Sequence, residues 1–453
     1  MHITDNKFFK PIAALLPLLI IFGNISIFNY SVGGVVLTSY RMLIPVLCVV
    51  LIWLYLKDKP QSGLKKKSDG KPALIIFCCV ILFWIAYGIM TLIFFKYSVF
   101  RSGAKEIMIL ILAAMSVVCL WMLCRNGCWK ELLIGIRIAV VITIIIGFAE
   151  IITGRHLATS RFSDMDYLRS IVALSDSKLE KIRWKKATGI FYNENDFTAF
   201  LAVFTPVFIH DINNNRKTII RLLGCLALGA VFFLLLADDS FICVIAEMLG
   251  VIMCLVFNRA RRSSYLFTGV TLAATRGLFA IISPSMLALE LSLFDQLNNM
   301  DLGYGSLLHR LNTYSISFTE TMRETKGFGF GAGSYINYFG QFVETHNTMA
   351  NPHCYWIEIF AEYGVIVFLL FVAMLLFLYI RIIVYALSAE RVKASMILAM
   401  GAAFAVACIA PSSYMMNTYH WIPIGMAVWL VDSVSKNKIS KNNKERNNAI
   451  QRP

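Results

Sequence analysis

The chain has 453 residues, 58% of them hydrophobic and only 15% charged, with a mean hydropathy of +0.68. Soluble domains hold roughly 45–50% apolar residues, and here the excess falls in unbroken blocks long enough to cross hydrocarbon as helices, which excludes a water-soluble fold. The net charge of +15 comes from Lys and Arg placed between those blocks rather than along one basic face, so it argues for a topological signal and against a nucleic-acid partner.

In chain order, spans are predicted near 11–28, 35–56, 73–95, 107–124, 132–152, 196–211, 219–237, 241–257, 265–286, 354–380, 394–410 and 415–431. The first follows Lys7 and Lys10, but it is long for a signal segment and no small-residue cleavage site follows it. Every second loop is basic. Lys57, Lys59, Lys65, Lys66, Lys67 and Lys71 follow the second span, Arg125 and Lys130 the fourth, and Arg216 and Lys217 the sixth. Arg259, Arg261 and Arg262 follow the eighth, and Arg381, Arg391 and Lys393 the tenth. By the positive-inside rule both termini are expected in the cytoplasm of a plasma-membrane protein. The expected architecture is all-α: one polytopic membrane domain over 1–431 with about 12 transmembrane helices, and a basic, disordered cytoplasmic tail over 432–453. Loops 154–194 and 287–352 are then extracytoplasmic, the large one lying before the tenth helix. No internal repeat and no inverted pair of broken spans is evident.

Most of the eleven cysteines fall inside spans, where a thiol acts as a small apolar group, and Cys124 and Cys128 lack the histidines and spacing of a zinc site. No metal and no cofactor is expected. Candidate chemistry gathers in the outer loops. The first carries Arg155, Arg161 and Arg169 with Lys178, Lys181, Arg183, Lys185 and Lys186, cations suited to a lipid-linked pyrophosphate or simply to anionic headgroups. The second holds Gly327-Phe-Gly-Phe-Gly-Ala-Gly-Ser334, which is either a phosphate-facing turn or a flexible loop but not a Walker motif. Then come Asn351-Pro-His-Cys354 and the start of the tenth span.

His353, fixed in direction by Pro352, suits a general base. Glu358 and Glu362 follow at helical spacing inside apolar sequence, where a carboxylate is a functional candidate by default. His346 beside Asn347 is a weaker candidate in polar sequence. Arg310 lies on a predicted amphipathic helix containing Leu307-Leu-His-Arg-Leu-Asn-Thr-Tyr314. Arg41, Arg137 and Arg276 lie near or inside spans, where an unpaired arginine is costly. Asp238 and Asp239 occupy a short turn and are expected to be solvated.

Taken together, the large outer loop, the Gly-rich turn, the histidine, and Glu362 with Gly364 resemble the O-antigen ligase and polymerase (Wzy/WaaL) superfamily, nearest its Gram-positive teichuronic acid and capsular polysaccharide polymerases. The specific part runs from Arg310 into the tenth span, supported by Thr188-Gly-Ile-Phe-Tyr-Asn-Glu-Asn-Asp196. Two departures stand out: Cys354 replaces the usual asparagine, so both His353 and His346 remain open as the functional histidine, and Asp239-Ser240-Phe241 lacks the family's arginine, which leaves open which arginines hold the pyrophosphate.

The resemblance implies a metal-independent glycosyltransferase acting in cell-surface polysaccharide biosynthesis. It would move a glycan from a polyprenyl (undecaprenyl) pyrophosphate donor to a sugar hydroxyl of a lipid-linked acceptor on the outer face. His353 and Glu358 are the expected catalytic residues, with Arg310, Arg161, Arg41, Asn195 and Glu362 binding pyrophosphate and glycan. Expected partners are the lipid-linked donor and acceptor, the bilayer, a flippase and a chain-length regulator. A ligase that moves finished polymer to another acceptor, and a non-enzymatic lipid-linked sugar flippase or transporter, are the alternatives.

Overall fold

A computed structural model describes residues 6–23, 31–32, 35–36, 38–57, 71–158, 160–163, 186–283, 306–387, 391–411, 413, 415 and 417–434. Lys59 to Lys67, Arg169 to Lys185 and the tail from Lys436 lie outside them, as does the expected disorder of that tail. The described chain is almost entirely helical. Each predicted span meets a helix: α1 (Asn6–Ile21), α2 (Ser39–Lys57), α3 (Pro72–Phe94), α4 (Phe100–Arg125), α5 (Trp129–Thr153), the pair α6 (Glu194–Phe204) and α7 (Pro206–Asn214), α8 (Thr218–Ala237), α9 (Phe241–Phe257) and α10 (Arg262–Ile282). Beyond the large loop these continue as α14 (Tyr355–Ala386), α15 (Arg391–Ala407) and α16 (Trp421–Val434). Seven of them, α2 to α5, α8, α10 and α14, are long and apolar enough to cross a membrane, and α1, α9 and α16 are shorter apolar helices. The chain is thus an all-α polytopic membrane protein, the one exception among the described residues being a hairpin of two two-residue strands pairing Ser31 with Val36. Val35 and Val36, expected at the start of the second span, belong to that hairpin.

Local sequence explains the ends and breaks. Pro72 starts α3, where a missing N–H costs nothing. Asp432 then accepts from the next two amides, Ala73 N at 2.9 Å and Leu74 N at 3.3 Å, and from Trp121 Nε1 at 3.0 Å. This aspartate, placed by sequence at the head of a tail, is 6% exposed within α16. The sixth span divides at Thr205 because Pro206 cannot donate into the preceding turn. Gly154, in the left-handed region at φ 64°, terminates α5 with its N–H on the Glu150 carbonyl.

From Ser306 onward the large loop is built rather than loose. It holds α11 (Ser306–Thr325), the Gly-rich turn, α12 (Tyr335–Phe339), a single 3-10 turn over Gly340–Phe342 and α13 (Val343–His346). The helix α11 lies against α14, with Phe318 stacked on Phe360 at 5.3 Å. The Gly-rich turn is clamped. At Gly364 (φ 76°, ψ 179°) α14 leaves helical geometry, and the freed carbonyls of Ala361 and Glu362 accept from Phe330 N and Gly331 N, each at 2.8 Å. Gly333 N donates to Glu106 on α4 at 2.8 Å. A Cβ at Gly329 would stand 2.5 Å from the Glu362 carbonyl oxygen, so glycine is required by close backbone approach. Of the two readings of this turn, the flexible loop is excluded, and its amides are occupied by protein rather than turned to a phosphate.

Candidate functional site

The site forms where α11 and the entry to α14 reach the end of α15. A helix leaves its last carbonyls without intrahelical partners, and here the three that follow α15 are each taken by a different group. Cys408 O accepts from Tyr355 N at 3.1 Å, Ile409 O from Arg310 Nη1 at 2.8 Å, and Ala410 O faces His353 Nδ1 at 3.4 Å. Arg310 comes from α11 and His353 from the entry to α14, so the two residues singled out in the large loop are brought together on adjacent carbonyls. The negative end of the α15 dipole favours a cation there.

His353 sits in a strained conformation, φ 47°, rare for a residue with a Cβ. Its own carbonyl accepts the Tyr314 hydroxyl at 3.0 Å. A carbonyl can only accept, so the Ala410 contact places the ring proton on Nδ1 and leaves the Nε2 lone pair available. Burial pushes the imidazole down to about 4, with the Arg310 guanidinium and, less strongly, Arg161 adding to the shift against the Ala410 bond. The ring is therefore neutral at physiological pH. Arg310 Nε is buried without a hydrogen-bond partner among the described residues.

Arg161, whose charge bears weakly on the His353 ring, has partners of its own. Its guanidinium pairs with Glu194 at the start of α6 and lies 4.9 Å from the Phe162 ring, while its N–H donates to Tyr192 O at 2.9 Å. Asn195 is half-buried in the next position, its carbonyl receiving the Thr198 hydroxyl at 3.3 Å. Asp196 accepts from Asn417 Nδ2 at 3.0 Å, tying α6 to the segment after α15. Upstream, Thr188 N and Gly189 N donate to Glu150 Oε2 at 2.8 and 2.7 Å, so a buried carboxylate on α5 holds the Thr-Gly turn.

The other expected residues stand elsewhere. Glu358, expected to be catalytic, is 2% exposed and accepts from Ser413 Oγ and from Met415 N at 3.3 Å, fastening the segment that follows Ala410. Glu362 accepts from Tyr335 N at 2.9 Å and meets Glu106, so it anchors the Gly-rich turn. Arg41 lies on the first turn of α2 near Lys105 and Arg101, a separate basic cluster. Arg137 is paired bidentately with Asp211, both contacts 2.6 Å. His346 is exposed on α13, 2.8 Å from Thr345 Oγ1, away from the α15 carbonyls that engage His353. Asp238, expected to be solvated, is 2% exposed and accepts from Ala187 N at 2.7 Å, because the Lys186–Ala187 segment folds over the turn.

Tyr314 was not singled out from sequence, nor were Glu150, Ser413 and Asn417. Only Tyr314 had a legible signal, since it follows Arg310 by four residues and so shares its helix face.

No protein-family model matches the chain. It is similar to the teichuronic acid biosynthesis protein TuaE of Bacillus subtilis (strain 168), 23% identical over 436 residues that cover 92% of this chain and 83% of that protein. The expected nearness to teichuronic acid proteins is thereby borne out, and the alignment runs through both the Thr188–Asp196 element and the His353 segment.

Proposed function

We propose that this protein is a polysaccharide polymerase of the cell-surface type, transferring a glycan from a polyprenyl pyrophosphate to a sugar hydroxyl of a lipid-linked acceptor at the outer face of the membrane. The observation that carries this reading is the placement of Arg310 and a neutral His353 on the adjacent carbonyls of Ile409 and Ala410. The similarity to a teichuronic acid biosynthesis protein supports the substrate class, and the basic alternate loops support an outward-facing site.

In this reading the Arg310 guanidinium receives the pyrophosphate, joined by Arg161 as the pyrophosphate displaces Glu194 from it, and the polyprenyl tail stays in lipid. The acceptor hydroxyl gives its proton to His353 Nε2 as its oxygen attacks the anomeric carbon. The bond from that carbon to the pyrophosphate oxygen breaks, and the leaving charge is held by Arg310 and Arg161 without need of a metal. Before the donor binds, those cations weaken the histidine as a base; a seated pyrophosphate cancels them and strengthens it. Glu358 acts as a positioning residue for the segment that presents Ala410.

Incubating the purified protein with a lipid-linked repeat unit tests the reading. Longer lipid-linked chains are expected. Transfer only to a different acceptor would make it a ligase, and no covalent change would make it a flippase or transporter.

A further inference from the structure

A second site lies at the other end of the bundle. The helix α5 runs from Glu150, beside the Thr188 turn, back to Trp129, and around that far end is a cavity of about 630 Å³. Three elements bring basic side chains to its wall: Lys130 from α5, His210 from α7 and Lys393 from α15. Arg137 also lines it, but its guanidinium is committed to Asp211, whose two oxygens it holds at 2.6 Å. Asp211 is the one acidic residue lining the cavity among the described residues, so its charge is spent and the wall keeps a net positive charge. His210 Nδ1 is buried and stands 3.5 Å from Asp211 Oδ1, outside hydrogen-bond geometry. Lys393 is held over the Trp429 ring at 5.5 Å, and Trp429 stacks on Trp129 at 5.2 Å. Asn215 also lines the cavity, its Nδ2 donating to Asp211 Oδ1 at 3.3 Å, and the rest of the wall is apolar, with Leu133, Ile134 and Ile220.

We propose that this cavity binds a phosphate ester, its oxygens received by Lys130, Lys393 and His210. A basic rim over an apolar wall at a helix end suits an anionic phospholipid headgroup with its chains lying along α5. A soluble phosphate monoester presents the same oxygens to the same rim. The proposal is independent of the transferase reading, since none of these residues takes part in the His353 site.

The test uses the full-length protein in detergent, titrated separately with phosphatidylglycerol, phosphatidylcholine and glycerol 3-phosphate, with bound species counted by native mass spectrometry. Saturable binding of phosphatidylglycerol in preference to phosphatidylcholine is expected. The double variant Lys130→Gln/Lys393→Gln should weaken it about tenfold or more, the effect of removing two basic side chains from an anionic headgroup. Lys130→Arg/Lys393→Arg should bind as wild type, and Ile134→Trp, which fills the apolar wall from an exposed position, should block the lipid without altering the rim. Competition by glycerol 3-phosphate identifies a soluble ester as the occupant, and its absence identifies the lipid. Equal binding of both lipids with no binding of glycerol 3-phosphate, or unchanged binding by the glutamine variant, overturns the proposal.

Discussion

The chemistry proposed for His353 rests on where its neighbours hold it. Removing the ring in His353→Ala is expected to lower polymer formation by about a hundredfold or more, the usual size of a general-base contribution, measured as chain growth on a lipid-linked repeat. The pH profile gives a sharper check. The ring is pushed down to about 4 in the free protein, by burial first and then by Arg310, so kcat/KM should stay level from neutral pH down to the region of that value. In kcat, which reports the donor complex, the acid limb should lie higher because the bound pyrophosphate favours the imidazolium. Identical limbs in both profiles would contradict the pairing of arginines, donor and base. Arg310→Lys keeps the charge but cannot both reach the Ile409 carbonyl and present a planar fork, and kcat/KM is expected to fall about tenfold or more.

At the scale of an element, the Gly-rich turn and the break in α14 are one device. Gly364 leaves the helix so that two carbonyls can receive the turn, and Gly329 and Gly364 both adopt positive φ with backbone of the other segment within 2.6 Å of a would-be Cβ. Gly364→Ala is therefore expected to cost about 1–3 kcal/mol from backbone strain alone, read as a lowered Tm in detergent, and a Tm equal to wild type would show that the clamp is dispensable. The same device includes Glu362. An intramembrane carboxylate invites a substrate role, yet its partners here are Tyr335 N and Glu106, and the turn they anchor leads through α12 and α13 to the segment bearing His353.

For the molecule as a whole, long-range polar ties join segments that hydropathy treats as separate. Asp432 caps α3 across 359 positions of sequence, and Asp432→Ala would leave two amides and the Trp121 indole without their acceptor. A loss of about 1–3 kcal/mol is expected, the cost of a buried donor left unmade, again measured as Tm. The alternation of basic loops makes a separate forecast about sidedness. In intact cells Thr345→Cys, exposed on α13, should react with a membrane-impermeant maleimide, whereas Arg216→Cys, exposed between α7 and α8, should react only after permeabilisation. The opposite pattern would place the His353 site in the cytoplasm and remove the proposed acceptor chemistry.

Hydropathy by itself determined that this is an all-α membrane protein and where its helices run, because length and apolar content are properties of local sequence; residue type, spacing and the family resemblance marked Arg310 and His353. Local sequence also marked the turn at Gly327 to Gly333 as special. It could not say that the turn is clamped rather than open, since the carbonyls that clamp it are released by Gly364 some thirty residues later. Nor could it choose His353 over His346: a histidine's base strength and tautomer depend on the burial and partners around its ring, and the Ala410 carbonyl and the Arg310 charge reach it only when α15, α11 and the entry to α14 converge. Asp238 and Asp432 show the same limit, since both read as solvated charges until a distant segment folds over them. Tertiary structure alone decided these roles, because the fate of a polar group rests on what desolvates it, and that neighbour is seldom near in sequence.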